Sequence, residues 1–195
     1  MNRAITTIIL SQVLHISEAR ELELAVIEEE QMHNTDVTFR PIGTVLTQAS
    51  DEQMKEGNRE LISTIEIFPE FQEGMDGLEG CSHIFVLTYF NKLRPDQIGP
   101  LKVKPRRFLK KGLKLEELPL VGVFAIDSPT RPNPIGLTLV KLVRVEGGKL
   151  TVQGLDCFNG TPVLDIKPYK ESYAISDYAY PEWRRQLHDK AGEDL

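Results

Sequence analysis

Three stretches of this 195-residue chain gather side chains whose type and spacing could do chemistry. The first, residues 127–136, reads D-S-P-T-R-P-N-P-I-G and follows directly on the apolar run V-G-V-F-A-I. Pro129, Pro132 and Pro134 fix their own φ and hold the residues before them, Arg131 and Asn133 included, away from helix. A loop stiffened in this way loses little entropy on binding. It offers the Arg131 guanidinium as a donor fork beside the Asn133 amide, a pair suited to a carboxylate, a phosphate or a base edge. The same prolines would equally serve a structural arch between two strands.

The second stretch, residues 155–169, reads L-D-C-F-N-G-T-P-V-L-D-I-K-P-Y. Asn159-Gly160 is a strong turn signal, and Asp156 and Asp165 stand on either side of it, nine residues apart. A turn there would bring the two carboxylates near each other, able to hold a cation, orient a ribose or act as a general base, with Lys167 as counter-charge. The plainer alternative caps the turn with Asp156 and pairs Asp165 with Lys167 at the surface. The third stretch, residues 102–114, holds seven Lys or Arg and no acid. Lys102, Lys104, Arg106, Arg107, Lys110 and Lys111, with Phe108 among them, form the pattern expected for a polyanion such as RNA; a solvated loop is the competing reading. No Walker loop, G-x-G-x-x-G, G-x-S-x-G or H-E-x-x-H interrupts these readings. Cys81 and Cys157 lie 76 residues apart with no C-x-x-C, and the four histidines are scattered, so neither a metal site nor a disulfide framework is expected. A reducing cytoplasm is the default compartment.

The elements that must position these stretches read as short strands cut by glycine and proline, at 37–46, 61–68, 83–90, 101–104, 121–126, 136–145, 149–154 and 163–166. Spacing this tight leaves no room for crossover helices, which favours an antiparallel barrel or sandwich. Gly147-Gly148 marks a two-residue hairpin, and one helix is expected over 181–190. The first 36 residues have neither Pro nor Gly and carry seven acids against two bases. A helix starting near Ser17 would suit them, giving an acidic extension at 1–36, a barrel over 37–170 and a tail over 171–195. The longest apolar runs fall well short of the roughly 18 residues of a membrane span. Hydrophobic residues at 41% and charged residues at 27% are those of a folded chain.

The motifs P-I-G-T-V (41–45), I-E-I-F-P-E-F (65–71), G-L-E-G-C-S-H-I (77–84), G-V-F-A (122–125), R-P-N-P-I-G-L (131–137) and N-G-T-P-V-L-D-I-K-P-Y (159–169) together resemble the TrmO / TsaA-like family. Its members are S-adenosylmethionine-dependent tRNA methyltransferases acting on N6 of threonylcarbamoyl-adenosine beside the anticodon. The resemblance implies a mainly β protein, a single-sheeted antiparallel β-barrel, with S-adenosylmethionine bound near the subunit interface of a homodimer and tRNA as substrate. Carried over by position, it assigns cofactor contacts to Leu137, Leu155, Asp156, Cys157 and Phe158. Joined to the chemistry above, it makes Arg131 and Asp165 the candidate catalytic residues. Asn133 and the six basic residues Lys102, Lys104, Arg106, Arg107, Lys110 and Lys111 fall to the substrate. The chain departs from the family at Ile126-Asp127, where Thr-Arg is usual, and at Asn91-Lys92, where His followed by Arg or Gln is usual. An adenosyl-binding module without transfer, or a methyltransferase of a small metabolite, would share most of these features.

Overall fold

The computed structural model describes residues 37–192, and the helix expected within 1–36 lies outside them. From Arg40 on the chain forms one compact unit. Six strands close into one antiparallel barrel, as expected: β1 (Gly43–Leu46), β2 (Ile62–Ile67), β3 (His83–Tyr89), β6 (Ile135–Glu146), β7 (Lys149–Gln153) and β8 (Pro162–Pro168). The order around the barrel is β1-β2-β7-β6-β3-β8, with β8 returning to β1 through the pairing of Gly43 with Val163. The remaining pair, β4 (Lys102–Val103) and β5 (Val121–Gly122), forms a separate two-stranded sheet.

Alternation builds the barrel. Along β3, Ile84, Val86 and Thr88 point inward while His83, Phe85, Leu87 and Tyr89 face out. Eight of the twelve residues in the closed core are Val or Ile, whose branched side chains have few rotamers to lose on packing. The twelve-residue β6 serves both β3 and β7, and it changes register against β7 between Leu142 and Arg144. Such a bulge lets one long strand bend around the wall. Gly147 and Gly148, with φ of 55° and 74°, make the β6–β7 hairpin in the left-handed conformation that a type I′ turn requires at both positions.

Three expectations are revised. The first strand starts at Gly43, with Val37 and Phe39 exposed ahead of it. The runs at 101–104 and 121–126 do not enter the barrel, because Val121–Gly122 gives way at once to a 3₁₀ turn at Val123–Ala125. A helix that the strand reading passed over, α1 (Asp51–Glu56), starts at Ser50, whose hydroxyl accepts from the Gln53 amide N–H while the Gln53 side chain accepts from Ser50 N–H. The C-terminal helix is present as α2 (Glu182–Ala191). It closes a second apolar cluster: Leu187 packs with Phe108, Leu113 and Leu118, and Trp183 lies against them. Within the basic stretch, Phe108 is thus a buried anchor and Arg106–Lys111 a 3₁₀ helix.

Candidate functional site

The elbow at 127–136 is held by side-chain and backbone bonds, within itself and to Gly99. Ser128 Oγ accepts from Thr130 N–H at 3.2 Å, the Arg131 Nη1 donates to Ser128 O at 3.2 Å, and Gly99 N–H donates to Arg131 O at 3.3 Å. Phe90 N–H donates to Pro134 O at 2.8 Å, which stitches the elbow to the end of β3. At Gly136 a side chain would not fit: an added Cβ would lie 2.6 Å from both Thr88 Oγ1 and Phe90 Cζ. The missing Cβ lets β6 approach β3 at the point where the chain leaves the elbow.

The 155–161 connection is tied from the other side. Asn159 Oδ1 accepts from Thr47 N–H at 3.1 Å, and Gly160, at a φ of 81°, donates its N–H to Val45 O at 2.8 Å. Between connection and elbow runs a cleft of about 710 Å³. Arg131, Asn133 and Leu137 line it from the elbow and β6, and Asp156, Cys157 and Phe158 from the connection. Six residues singled out in the sequence therefore meet in one place.

Their local chemistry differs. Asp156 is exposed, and its Oδ1 accepts from the Thr138 hydroxyl at 2.9 Å, leaving Oδ2 for a ligand. Cys157 is 3% exposed, and burial pushes its thiol up to about 11, with the nearby Asp156 charge adding to the rise and a 3.6 Å contact to Thr88 Oγ1 opposing it. Cys157 is therefore a protonated, inert wall at neutral pH and no nucleophile. Phe158 carries two cations near its ring, Lys92 Nζ at 5.0 Å from the centroid and Lys55 Nζ at 5.9 Å.

Two placements depart from expectation. Leu155 is 1% exposed, belongs to the barrel core and is not among the residues lining the cleft. Asp165 pairs with Leu87 inside the sheet; its Oδ2 lies 2.6 Å from Lys167 Nζ and its Oδ1 accepts from Ile166 N–H. It is not among the residues lining the cleft that Asp156 lines; it stands three residues into β8, and a strand advances about 3.3 Å per residue. The basic stretch divides as well. Lys102, Lys104, Arg106 and Arg107 line a second cleft of about 680 Å³, and Lys111 Nζ sits over the Phe108 ring at 5.9 Å. Lys110 Nζ donates to the Lys55 carbonyl, beside the first cleft. Asp127, Ser128 and Pro129 line both clefts, so the elbow is their shared wall. Lys55, Thr138 and the aromatic wall at Phe90 went unread in the sequence; only the S-x-x-Q pattern at Ser50 signalled the helix that brings Lys55 in.

On the barrel exterior next to Leu137, an apolar strip faces out from β3 and β6. Leu137 stands opposite Leu87 and Leu139 opposite Phe85, and Leu137, Leu139, Val143 and Tyr89 are all substantially exposed.

The family model of the tRNA-methyltransferase O N-terminal domain matches residues 49–174. A probable S-adenosyl-L-methionine-binding protein of Pyrococcus abyssi is 32% identical over 165 residues, covering 81% of this chain and 83% of that protein. The human tRNA (adenine(37)-N6)-methyltransferase is 45% identical over 116 residues, 60% of this chain but 23% of that enzyme, so the chain spans only a small part of it. The crystal structure of TrmO from Pseudomonas aeruginosa superposes with a TM-score of 0.55 at 29% identity, covering 74% of this chain and 61% of that one.

Proposed function

Because the chain belongs to the tRNA-methyltransferase O family, we propose that it transfers a methyl group from S-adenosylmethionine to N6 of adenine 37 in tRNA, that the adenine carries a threonylcarbamoyl group, and that it works in the cytoplasm as a homodimer. The observation that carries this reading is the convergence of the elbow and the 155–161 connection on one cleft. The residues present suit the donor. A volume of about 710 Å³ falls within the range of about 300–1,000 Å³ typical of ligand pockets. Phe158 and Leu137 offer apolar surface to an adenine, the Asp156 carboxylate complements a positive sulfur, and Lys55 and Lys92 complement an amino-acid carboxylate.

Bound S-adenosylmethionine supplies a methyl group already activated on a sulfonium. The protein's task is then mainly alignment and exclusion of water. Thr138 fixes the Asp156 carboxylate, and the elbow holds Arg131 and Asn133 where an acceptor base would be oriented. Cys157 stays protonated and contributes bulk only. The proton shed by N6 passes to water at the cleft mouth. The apolar strip around Leu139, contiguous with the cleft through Leu137, supports the homodimer reading.

The test is nucleoside mass spectrometry after incubating the protein with labelled S-adenosylmethionine and bulk tRNA. Methyl label on threonylcarbamoyl-adenosine, lost in Arg131→Ala with the melting temperature unchanged, supports the reading. Calorimetric binding of the donor with no label on any RNA overturns it. In parallel, Leu139→Glu should halve the mass measured by light scattering.

A further inference from the structure

The second cleft is built from distant parts of the chain: the stretch from Arg94 to Phe108, the elbow with the residues just before it, and the first turn of α2. The last of these lies beyond residue 174, where the family match ends. Among the described residues six cations line the cleft against two carboxylates, and Arg94 already holds one of the two, Asp96, through a pair of 3.0 Å bonds. Lys102 and Arg106 have no ion-pair partner among the described residues. Arg184 stacks over the Tyr180 ring at 4.2 Å, and its Nε is buried with no hydrogen-bond acceptor among the described residues. Beside it Trp183, half-buried against Phe108 and Leu187, forms an aromatic wall.

Clustered cations suit a phosphate, and an aromatic wall suits a base face; together they are the chemistry of an unstacked nucleotide rather than of a duplex backbone. Asp127, Ser128 and Pro129 make this cleft continuous with the first one, so a strand crossing the elbow would enter both. We propose that the second cleft seats a nucleotide neighbouring the target adenine in a single-stranded RNA loop, with Arg184 engaging its phosphate and Trp183 its base. This rests on the RNA reading above and assigns α2 to substrate recognition.

Trp183 is the only tryptophan in the chain, so its emission reports on this cleft alone. Titration of the full chain with an RNA hairpin bearing an unpaired anticodon-type loop should quench it saturably, and the quench should weaken steeply with salt. A fully paired duplex of the same length, and heparin, should bind by charge but leave the emission unchanged. Arg184→Gln should raise the KM for RNA about tenfold or more while kcat and S-adenosylmethionine affinity hold. Trp183→Phe should keep RNA affinity, and Trp183→Leu, which still fills the apolar cluster, should lose it. Hairpin binding by anisotropy with silent Trp183 emission overturns the proposal, as does an Arg184→Gln variant with unchanged RNA affinity. Quenching without methyl transfer keeps this cleft and sinks the activity; transfer with silent emission does the reverse; no RNA binding sinks both.

Discussion

The Thr138–Asp156 bond offers a direct measure of how the first cleft works. Thr138→Val keeps the shape of the side chain and deletes the hydroxyl that donates to Asp156 Oδ1 at 2.9 Å. A hydrogen bond to a charged group contributes about 1.5–3 kcal/mol when shielded; with Asp156 exposed, about 1 kcal/mol is the upper bound on what fixing its carboxylate adds to ligand affinity, at most about fivefold in the Kd of S-adenosylmethionine. Asp156→Asn removes a full charge. At about 5 Å and an effective dielectric of about 20, attraction to a sulfonium is about 3 kcal/mol, an upper bound for so open a site. That variant should therefore weaken S-adenosylmethionine by tenfold or more, and S-adenosylhomocysteine, whose sulfur is neutral, much less. In the Asp156→Asn background, Thr138→Val should cost little further, since its only charged partner is gone. Calorimetry with both ligands on all four proteins completes the cycle. Equal losses for the two ligands would show that Asp156 does not sense the sulfur's charge, and a full fivefold effect of Thr138→Val without the carboxylate would show that the hydroxyl acts elsewhere.

Cys157 should resist modification: a thiol raised from its ordinary 9.0 to about 11 holds about a hundredth of the usual thiolate at pH 8, so in a Cys81→Ser background alkylation should run about 100-fold slower than for a free thiol, and an ordinary rate would refute the burial argument. The same shift has a stability consequence of definite sign. Below pH 9 the thiol is protonated in both folded and unfolded chains, but between pH 9 and 11 only the unfolded chain ionises, so up to about 2–3 kcal/mol is lost as pH rises and Cys157→Ala should flatten that part of the denaturation profile. Gly136→Ala should lower the melting temperature by about 6 °C, from about 2 kcal/mol of overpacking against Thr88 and Phe90, whereas Gly74→Ala, with nothing within 4 Å of the added methyl, should change little.

What the sequence made legible was local. The prolines at 129, 132 and 134 and the Asn159-Gly160 pair dictate backbone shape within a few residues, so the elbow and the turn could be read directly, and with them Arg131, Asn133 and Asp156, whereas Phe158 came only through the family resemblance. What stayed hidden depends on partners far along the chain. Strand period alone cannot say that Gly43 pairs with Val163 while Val103 pairs with Val121 outside the barrel. Asp165 does not line the first cleft for the same reason: proximity across a turn decays when the chain continues as an extended strand. The second cleft needs Arg107 and His188 to meet at 3.3 Å across 81 residues, which no local pattern announces.

The elbow's stiffness has a further consequence for how substrate is chosen. Three fixed φ angles, the Ser128–Thr130 turn and the Arg131–Ser128 bond leave the shared wall between the clefts little freedom to move. If RNA occupies both clefts as proposed, adaptation falls to the RNA: a nucleotide in one cleft and its neighbour in the other would be splayed apart across Pro129, which stacked or paired strands resist and an open loop accommodates at low cost. Selectivity for an unpaired adenine then follows from spacing, without a direct contact to every base. On that reading Arg131 and Asn133, which line the first cleft, would need only to recognise the base brought to them.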